Sequence, residues 1–163
     1  MKALAEFLRV YEQPTPMIED CLEALDDCVR VLVRARYVTL MRPIHGGTEA
    51  ERIYSSDHEM FPLLARKPRP SGAWAEATLD RRCVTIASTP EAMEKAYPDY
   101  QRLLDIGIVA IVNVPLFDPG GFRGLLNCMA DTNEGDADAV RQDAVLLKYP
   151  ALLCLTMMDA PDL

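Results

Sequence analysis

Histidine is scarce in this chain. Only His45 and His58 occur in 163 residues. Neither stands at zinc-ligand spacing from a cysteine, and no HExxH is present, so no zinc motif can be assigned. The five cysteines, Cys21, Cys28, Cys83, Cys128 and Cys154, are scattered, form no CxxC and are odd in number. A closed disulfide framework is therefore not expected, and they read as reduced, small apolar residues. Long apolar runs are missing too. The longest, Val145 to Met158, is interrupted by Lys148 and Pro150, short of the ~18 residues that a membrane span needs. Glu6 and Arg9 break the N-terminal apolar positions, so no signal-peptide core is present and a cytoplasmic location is expected. Basic residues are outnumbered, 17 against 25 acidic, for a net charge of −8. That balance disfavours general nucleic-acid binding and supplies no polybasic patch for an anionic membrane. No Ser-His-Asp order, paired-carboxylate motif or phosphate-binding glycine loop appears.

Half of the residues are hydrophobic. The length suits one domain, residues 1–163, which buries roughly 70% of its unfolded surface. Residues 1–14 form an N-terminal helical arm, with Leu4, Phe7 and Leu8 on one side, and residues 16–158 the core. Ile18, Cys21, Leu25, Cys28 and Leu32 recur at spacings of three and four, which predicts an amphipathic helix from about 16 to 34, capped by Thr15. Tyr37–Met41 and Glu51–Ser56 read as strands joined by a turn at His45-Gly46-Gly47-Thr48. A proline-rich irregular stretch leads to a short helix from Ser71 or Gly72 to Leu79, then a strand at Cys83–Ala87. Thr89 caps a helical segment that runs to Asp105 with a break at Pro98. Ile108–Phe117 and Phe122–Ala130 form a hairpin around Asp118-Pro119-Gly120-Gly121. A loop over 131–135 precedes a last helix, from about Asp136 towards Met158, which Pro150 must kink or break. Antiparallel hairpins with helices at both ends give an α+β fold.

The order and spacing of these pieces resemble a GAF domain, a small-ligand sensor module, over about residues 16–158. The resemblance is carried by Ser71-Gly72-Ala73-Trp74 leading into Arg82-Cys83-Val84-Thr85-Ile86, by Gly107–Leu116, and by Phe122-Arg123-Gly124-Leu125-Leu126-Asn127. It implies a central antiparallel sheet of five or six strands, with terminal helices on one face and a ligand pocket under loops and short helices on the other. It also implies a homodimer through the terminal helices. The free methionine-(R)-sulfoxide reductase branch is disfavoured. The position resembling its catalytic cysteine holds Leu104, and the expected carboxylates fall at Asn127 and Met129. The cyclic-nucleotide signature and the Cys-His pair of bilin-binding relatives are not found.

Candidate ligand-binding residues follow from that frame. Tyr54, Phe61, Trp74, Tyr97 and Tyr100 occur in the stretch that forms the pocket wall in this family. Aromatics with polar handles suit such a wall, although Trp74 serves equally to pack its helix on the sheet. Asn113 is polar within an apolar strand and, if buried, either bonds a neighbouring loop or lines a pocket. A four-residue turn at 118–121 would set Ile111 opposite Cys128 and bring Ile111, Asn113 and Cys128 to one side of the sheet. Asp57 and His58 stand at a strand exit. His58 is read as a solvated loop residue, with acid–base, haem-ligand or pH-sensing roles as alternatives. Residues 151–158 are apolar nearly all round, so they are buried against a partner subunit or between the N-terminal arm and the sheet.

The expected function is a small-molecule-binding sensor or regulatory domain that acts through a second copy or another protein, because the length leaves no room for an output region. An enzyme or cofactor protein using the same pocket, and an interaction subunit with a vestigial pocket, are the alternatives. No catalytic residue, metal ligand or cofactor is specified.

Overall fold

Two helices, α1 (Lys2–Tyr11) and α2 (Ile18–Val33), lead into a hairpin of β1 (Tyr37–Ile44) and β2 (Glu49–Ser55). The computed structural model describes residues 1–133 and 136–160, so positions 134 and 135 of the expected loop lie outside the described residues. After the hairpin come β3 (Arg66–Pro68), α3 (Ala73–Ala75) running into a π-helical turn at Glu76–Asp80, β4 (Thr85–Ala87), α4 (Pro90–Ala96) and α5 (Tyr100–Asp105). A long hairpin of β5 (Ala110–Asp118) and β6 (Gly121–Ala130) precedes α6 (Ala137–Val145) and α7 (Lys148–Asp159). The strands form one antiparallel sheet in the order β3-β2-β1-β6-β5-β4. This is the α+β architecture expected from the element order.

Local signals account for most boundaries. Thr89 Oγ1 accepts a hydrogen bond from the Ala92 amide at 3.2 Å and caps α4 as its sequence predicts. Pro98 separates α4 from α5. Pro150 falls in the first turn of α7, where no intrahelical N–H is required, so the break lies just before it, at Leu146-Leu147. Two expectations are corrected. Thr15 does not cap α2: the helix begins after Met17, whose carbonyl accepts from the Cys21 amide at 3.2 Å. The irregular stretch also contains a strand, β3, which pairs with β2 despite Pro68 because it lies at the sheet edge.

The sheet has two unlike faces. On one, Val38, Leu40, Val112, Val114, Leu116, Leu126 and Cys128 meet buried residues of α2, α6 and α7 such as Leu25, Val29, Ala144, Ala151 and Leu155. Full burial of each large aliphatic here stabilises the fold by about 1.5–3 kcal/mol. The α7 helix lies against β5 and β6 on one side and against α1 and α2 on the other, with Phe7 of α1 buried in the same core. Its all-round apolar character is thus largely consumed within the chain, which accords with the partner-free alternative. On the other face, α4, α5 and the 57–61 turn pack a smaller core of Tyr37, Phe61, Met93, Leu103, Ile108 and Met129.

Two bulges decide which residue reaches which face. In the β5–β6 pair, Phe117 lies opposite Phe122 but Leu116 lies opposite Gly124, so Arg123 is an extra residue on β6. In the β1–β2 pair, Leu40 lies opposite Tyr54 but Met41 lies opposite Arg52, so Ile53 is the extra residue on β2. Each bulge inverts the alternation beyond it.

A cavity floored by a polar ladder

Polar side chains within β1, β5 and β6 share one rung on the face opposite the terminal helices. Asn113 pairs with Asn127, and Asn127 pairs with Thr39. The Asn113 amide nitrogen donates to Asn127 Oδ1 at 2.7 Å, and Asn127 Nδ2 donates to Thr39 Oγ1 at 3.0 Å. Asn113 Oδ1 accepts from the indole Nε1 of Trp74 at 3.1 Å and from the Tyr97 hydroxyl. Asn113 is only 1% exposed, so these bonds replace the water it loses on folding. The Trp74 and Tyr97 rings meet edge-on with centroids 6.1 Å apart. Burial raises the Tyr97 hydroxyl pKa, which keeps it protonated and available as the donor.

Above this ladder lies a cavity of about 990 Å³. Its floor includes Thr39, Met41, Ile111, Asn113, Leu125, Asn127 and Met129 from the sheet. The segment from Ala65 to Trp74 forms one wall, and α4, α5 and the Tyr97-Pro98-Asp99 link form the other. The walls are predominantly apolar, with a few polar groups converging on one space, which is the general form of a small-molecule site.

Several charged residues also line it. Arg52, on β2, is the most enclosed of them at 7% exposure. Its Nη1 donates to the Pro62 carbonyl at 2.9 Å and its guanidinium lies 5.5 Å from the Phe61 ring centroid. Its Nε is buried and has no hydrogen-bond partner among the described residues. Burial and the nearby Arg102 both lower its pKa.

Of the residues expected to bind ligand, Phe61, Trp74, Tyr97 and Asn113 do come together at this cavity. The other five do not line it. Tyr54 is turned to the helix layer by the bulge at Ile53, and its hydroxyl donates to Asp26 Oδ2 of α2 at 2.8 Å. Cys128 lies opposite Val112 rather than Ile111, because the Arg123 bulge shifts the register by one, and it is fully buried in the helix-side core. Asp57 holds a turn, with Oδ1 accepting from the Met60 amide at 2.9 Å and its carbonyl accepting from Ser55 Oγ at 2.8 Å. That turn delivers Phe61 to the cavity. His58 is exposed in the same turn. Tyr100 opens α5, and its hydroxyl donates to Glu94 Oε1 of α4 at 3.4 Å.

Thr39, Asn127, Arg52 and Arg102 were not anticipated as cavity residues. Thr39 and Asn127 carried a usable signal, since each is polar inside an otherwise apolar strand, as Asn113 is. Arg52 carried none, because an arginine in a strand usually faces solvent.

The thiols are set apart from this site. Cys21, Cys28, Cys128 and Cys154 are buried in the helix-side core, and Cys83 is exposed. Burial pushes the Cys28 thiol up to about 11 and the Cys154 thiol to about 12, against thiolate chemistry. Among the described residues, no three His, Cys, Asp or Glu side chains converge as a metal site, and no helix is long and apolar enough to cross a membrane.

By sequence, the chain matches no family model and no curated protein. By structure, it is similar to GAF domains. The GAF domain/HD domain protein from Geobacter sulfurreducens superposes with a TM-score of 0.64 at 14% identity, covering 86% of this chain and 94% of that one. The GAF domain of a two-component sensor histidine kinase from Bacillus halodurans gives 0.66 at 12% identity, with 87% and 96% covered. A GAF domain from A. aeolicus, solved in an inactive state, gives 0.69 at 9% identity, with 98% and 96% covered. The chain therefore has a GAF-like fold, as the order of its motifs implied.

Proposed function

We propose that this chain is a small-molecule-binding sensory or regulatory domain whose ligand occupies the cavity over Asn113 and Asn127. The observation that carries this reading is the combination of a cavity of about 990 Å³ with a buried, bonded polar ladder set among apolar walls. A ligand there meets the Trp74 and Tyr97 rings at one side and the sheet beneath. The similarity to a domain of a sensor histidine kinase supports the same reading at the level of fold.

Output passes through the terminal helices, on the far face of the sheet, to a second copy or another protein. Leu8, Val31, Val145 and Tyr149 are exposed apolar residues carried by those helices. The enzymatic alternative has less support. His58 is exposed outside the cavity, Asp57 is engaged in a turn, and no cysteine lines the site.

Mass spectrometry of small molecules released on denaturing the natively purified protein tests the proposal. A stoichiometric compound that raises the melting temperature saturably when added back is the expected result. An empty protein whose melting temperature no metabolite shifts would contradict it.

A further inference from the structure

Arg52 poses a problem that the fold by itself leaves open. A guanidinium stays charged under all ordinary conditions, and enclosing one at 7% exposure requires compensating partners. Its Nη1 is bonded to a neutral carbonyl, that of Pro62, and Nε has no partner among the described residues. No carboxylate lies within ion-pair range of it among the described residues. The neighbouring acids are engaged elsewhere. Glu51 is held by Arg66 at 3.1 Å and Arg42 at 3.6 Å, and Asp99 by Lys67 at 3.1 Å. Arg102, which also lines the cavity and donates to the Met60 carbonyl at 3.1 Å, opposes its ionisation, and Asp99 favours it without forming an ion pair.

The bulge at Ile53 adds to this. It places Arg52 opposite Met41 on the cavity face, while Tyr54 two residues on goes to the helix layer. Backbone register therefore directs the arginine to the cavity face.

We infer that the ligand is a small organic carboxylate, with its carboxylate on the Arg52 guanidinium and an apolar body against Phe61, Trp74, Tyr97 and Leu125. This rests on the ligand-binding reading above and gives it a chemical class. The guanidinium fork matches a carboxylate in two parallel hydrogen bonds, and the low-polarity surroundings strengthen such a pair. The predominantly apolar lining favours an apolar body over a ligand that is charged throughout. A planar monocarboxylate uses the fork fully, whereas a phosphate dianion would draw on Arg102 as well, and the phosphonate probe below distinguishes the two.

The test uses matched probes: phenylacetate, 3-phenylpropionate and indole-3-acetate, each beside its neutral amide, and phenylphosphonate. Binding is read by calorimetry and by the Nε–H resonance of Arg52 in ¹⁵N-labelled protein. The acids are expected to bind at least about tenfold more tightly than their amides and to shift that resonance. An Arg52→Met protein should lose the preference while still binding the amides. The resonance and the acid–amide comparison need only the parent protein, so they stand even if the variant fails to fold. Equal binding of acids and amides, tighter binding of the phosphonate, or an unmoved resonance would overturn the carboxylate assignment and leave the cavity reading intact. Failure of every acid and amide to bind would also overturn the carboxylate assignment, whereas the cavity reading is decided by the compound released from the native protein.

Discussion

Asn113 and Asn127 stand directly opposite each other on β5 and β6, and the amide of the first donates to the amide oxygen of the second at 2.7 Å. The pair lies within one hairpin, but its remaining bonds reach elements far apart in sequence. Through Oδ1, Asn113 collects Trp74 and Tyr97 from the cavity walls, and through Nδ2, Asn127 reaches Thr39 on β1. One line of hydrogen bonds thus ties the floor of the site to its wall.

Replacing Asn113 by Leu removes the acceptor of two donors and the donor to Asn127. Each orphaned buried group costs about 1–3 kcal/mol, so a loss of about 2–4 kcal/mol is expected after partial hydration from the cavity. Urea unfolding measures it. The Asn113→Leu/Asn127→Leu double variant should lose about as much as the single one, because it leaves Thr39 Oγ1 unpaired in place of Asn127 Oδ1. A single variant as stable as the parent would mean that the ladder contributes nothing to stability.

Asp26 makes stability depend on pH. Burial pushes its carboxyl up to about 6, against the Tyr54 hydrogen bond and Arg30, which pull it down. Oδ1 has no partner among the described residues. The folded state therefore holds this proton more tightly than the unfolded chain, whose ordinary value is 3.8. The contribution of Asp26 to stability falls as pH rises from about 4 to about 6, and is unfavourable above that. Asp26→Asn keeps an acceptor for Tyr54 and removes the charge. It should stabilise the protein by about 1–3 kcal/mol at pH 7.5 and by much less at pH 4. Equal stability of the two proteins at both pH values is the contrary result.

Gly124 marks a close approach between strands. A Cβ there would stand 2.5 Å from the Met41 carbonyl oxygen and 3.3 Å from a Leu155 methyl. The first of these is backbone in the middle of the sheet and has little freedom to move. Gly124→Ala should therefore destabilise the fold by about 1–3 kcal/mol. A thermal melt within a degree of the parent would show that β1 and β6 separate without cost.

Thiol reactivity should separate one cysteine from four. Cys83 is exposed, and the others are buried. In native protein at pH 8, a disulfide reagent should titrate one thiol rapidly and the rest only on unfolding, and Cys83→Ser should abolish the fast phase. Two or more fast thiols would mean that the helix layer opens readily.

The sequence by itself determined most of the elements. Helical periodicity in 18–33, the Thr89 cap, the proline breaks and the turn at 118–121 are local signals, and local sterics and hydrogen bonding suffice to realise them. The α+β class and the GAF-like arrangement followed from their order. Trp74, Tyr97, Phe61 and Asn113, which the structure brings to the cavity, stood out in the sequence as aromatic and amide groups in an apolar context.

Only the tertiary structure decided the faces. Side chains alternate with a period of two along a strand, so one inserted residue exchanges inside for outside along the rest of the pairing. Arg123 is such a residue in β6, and it sends Cys128 to the helix layer and sets Asn127 against Asn113. Ile53 is another in β2, and it parts Tyr54 from Arg52. Gly124 beside Arg123 is a local hint of the first bulge, but nothing around Ile53 distinguishes the second from regular strand. They are set by how the sheet meets its two unlike layers, and they place a buried arginine in the cavity.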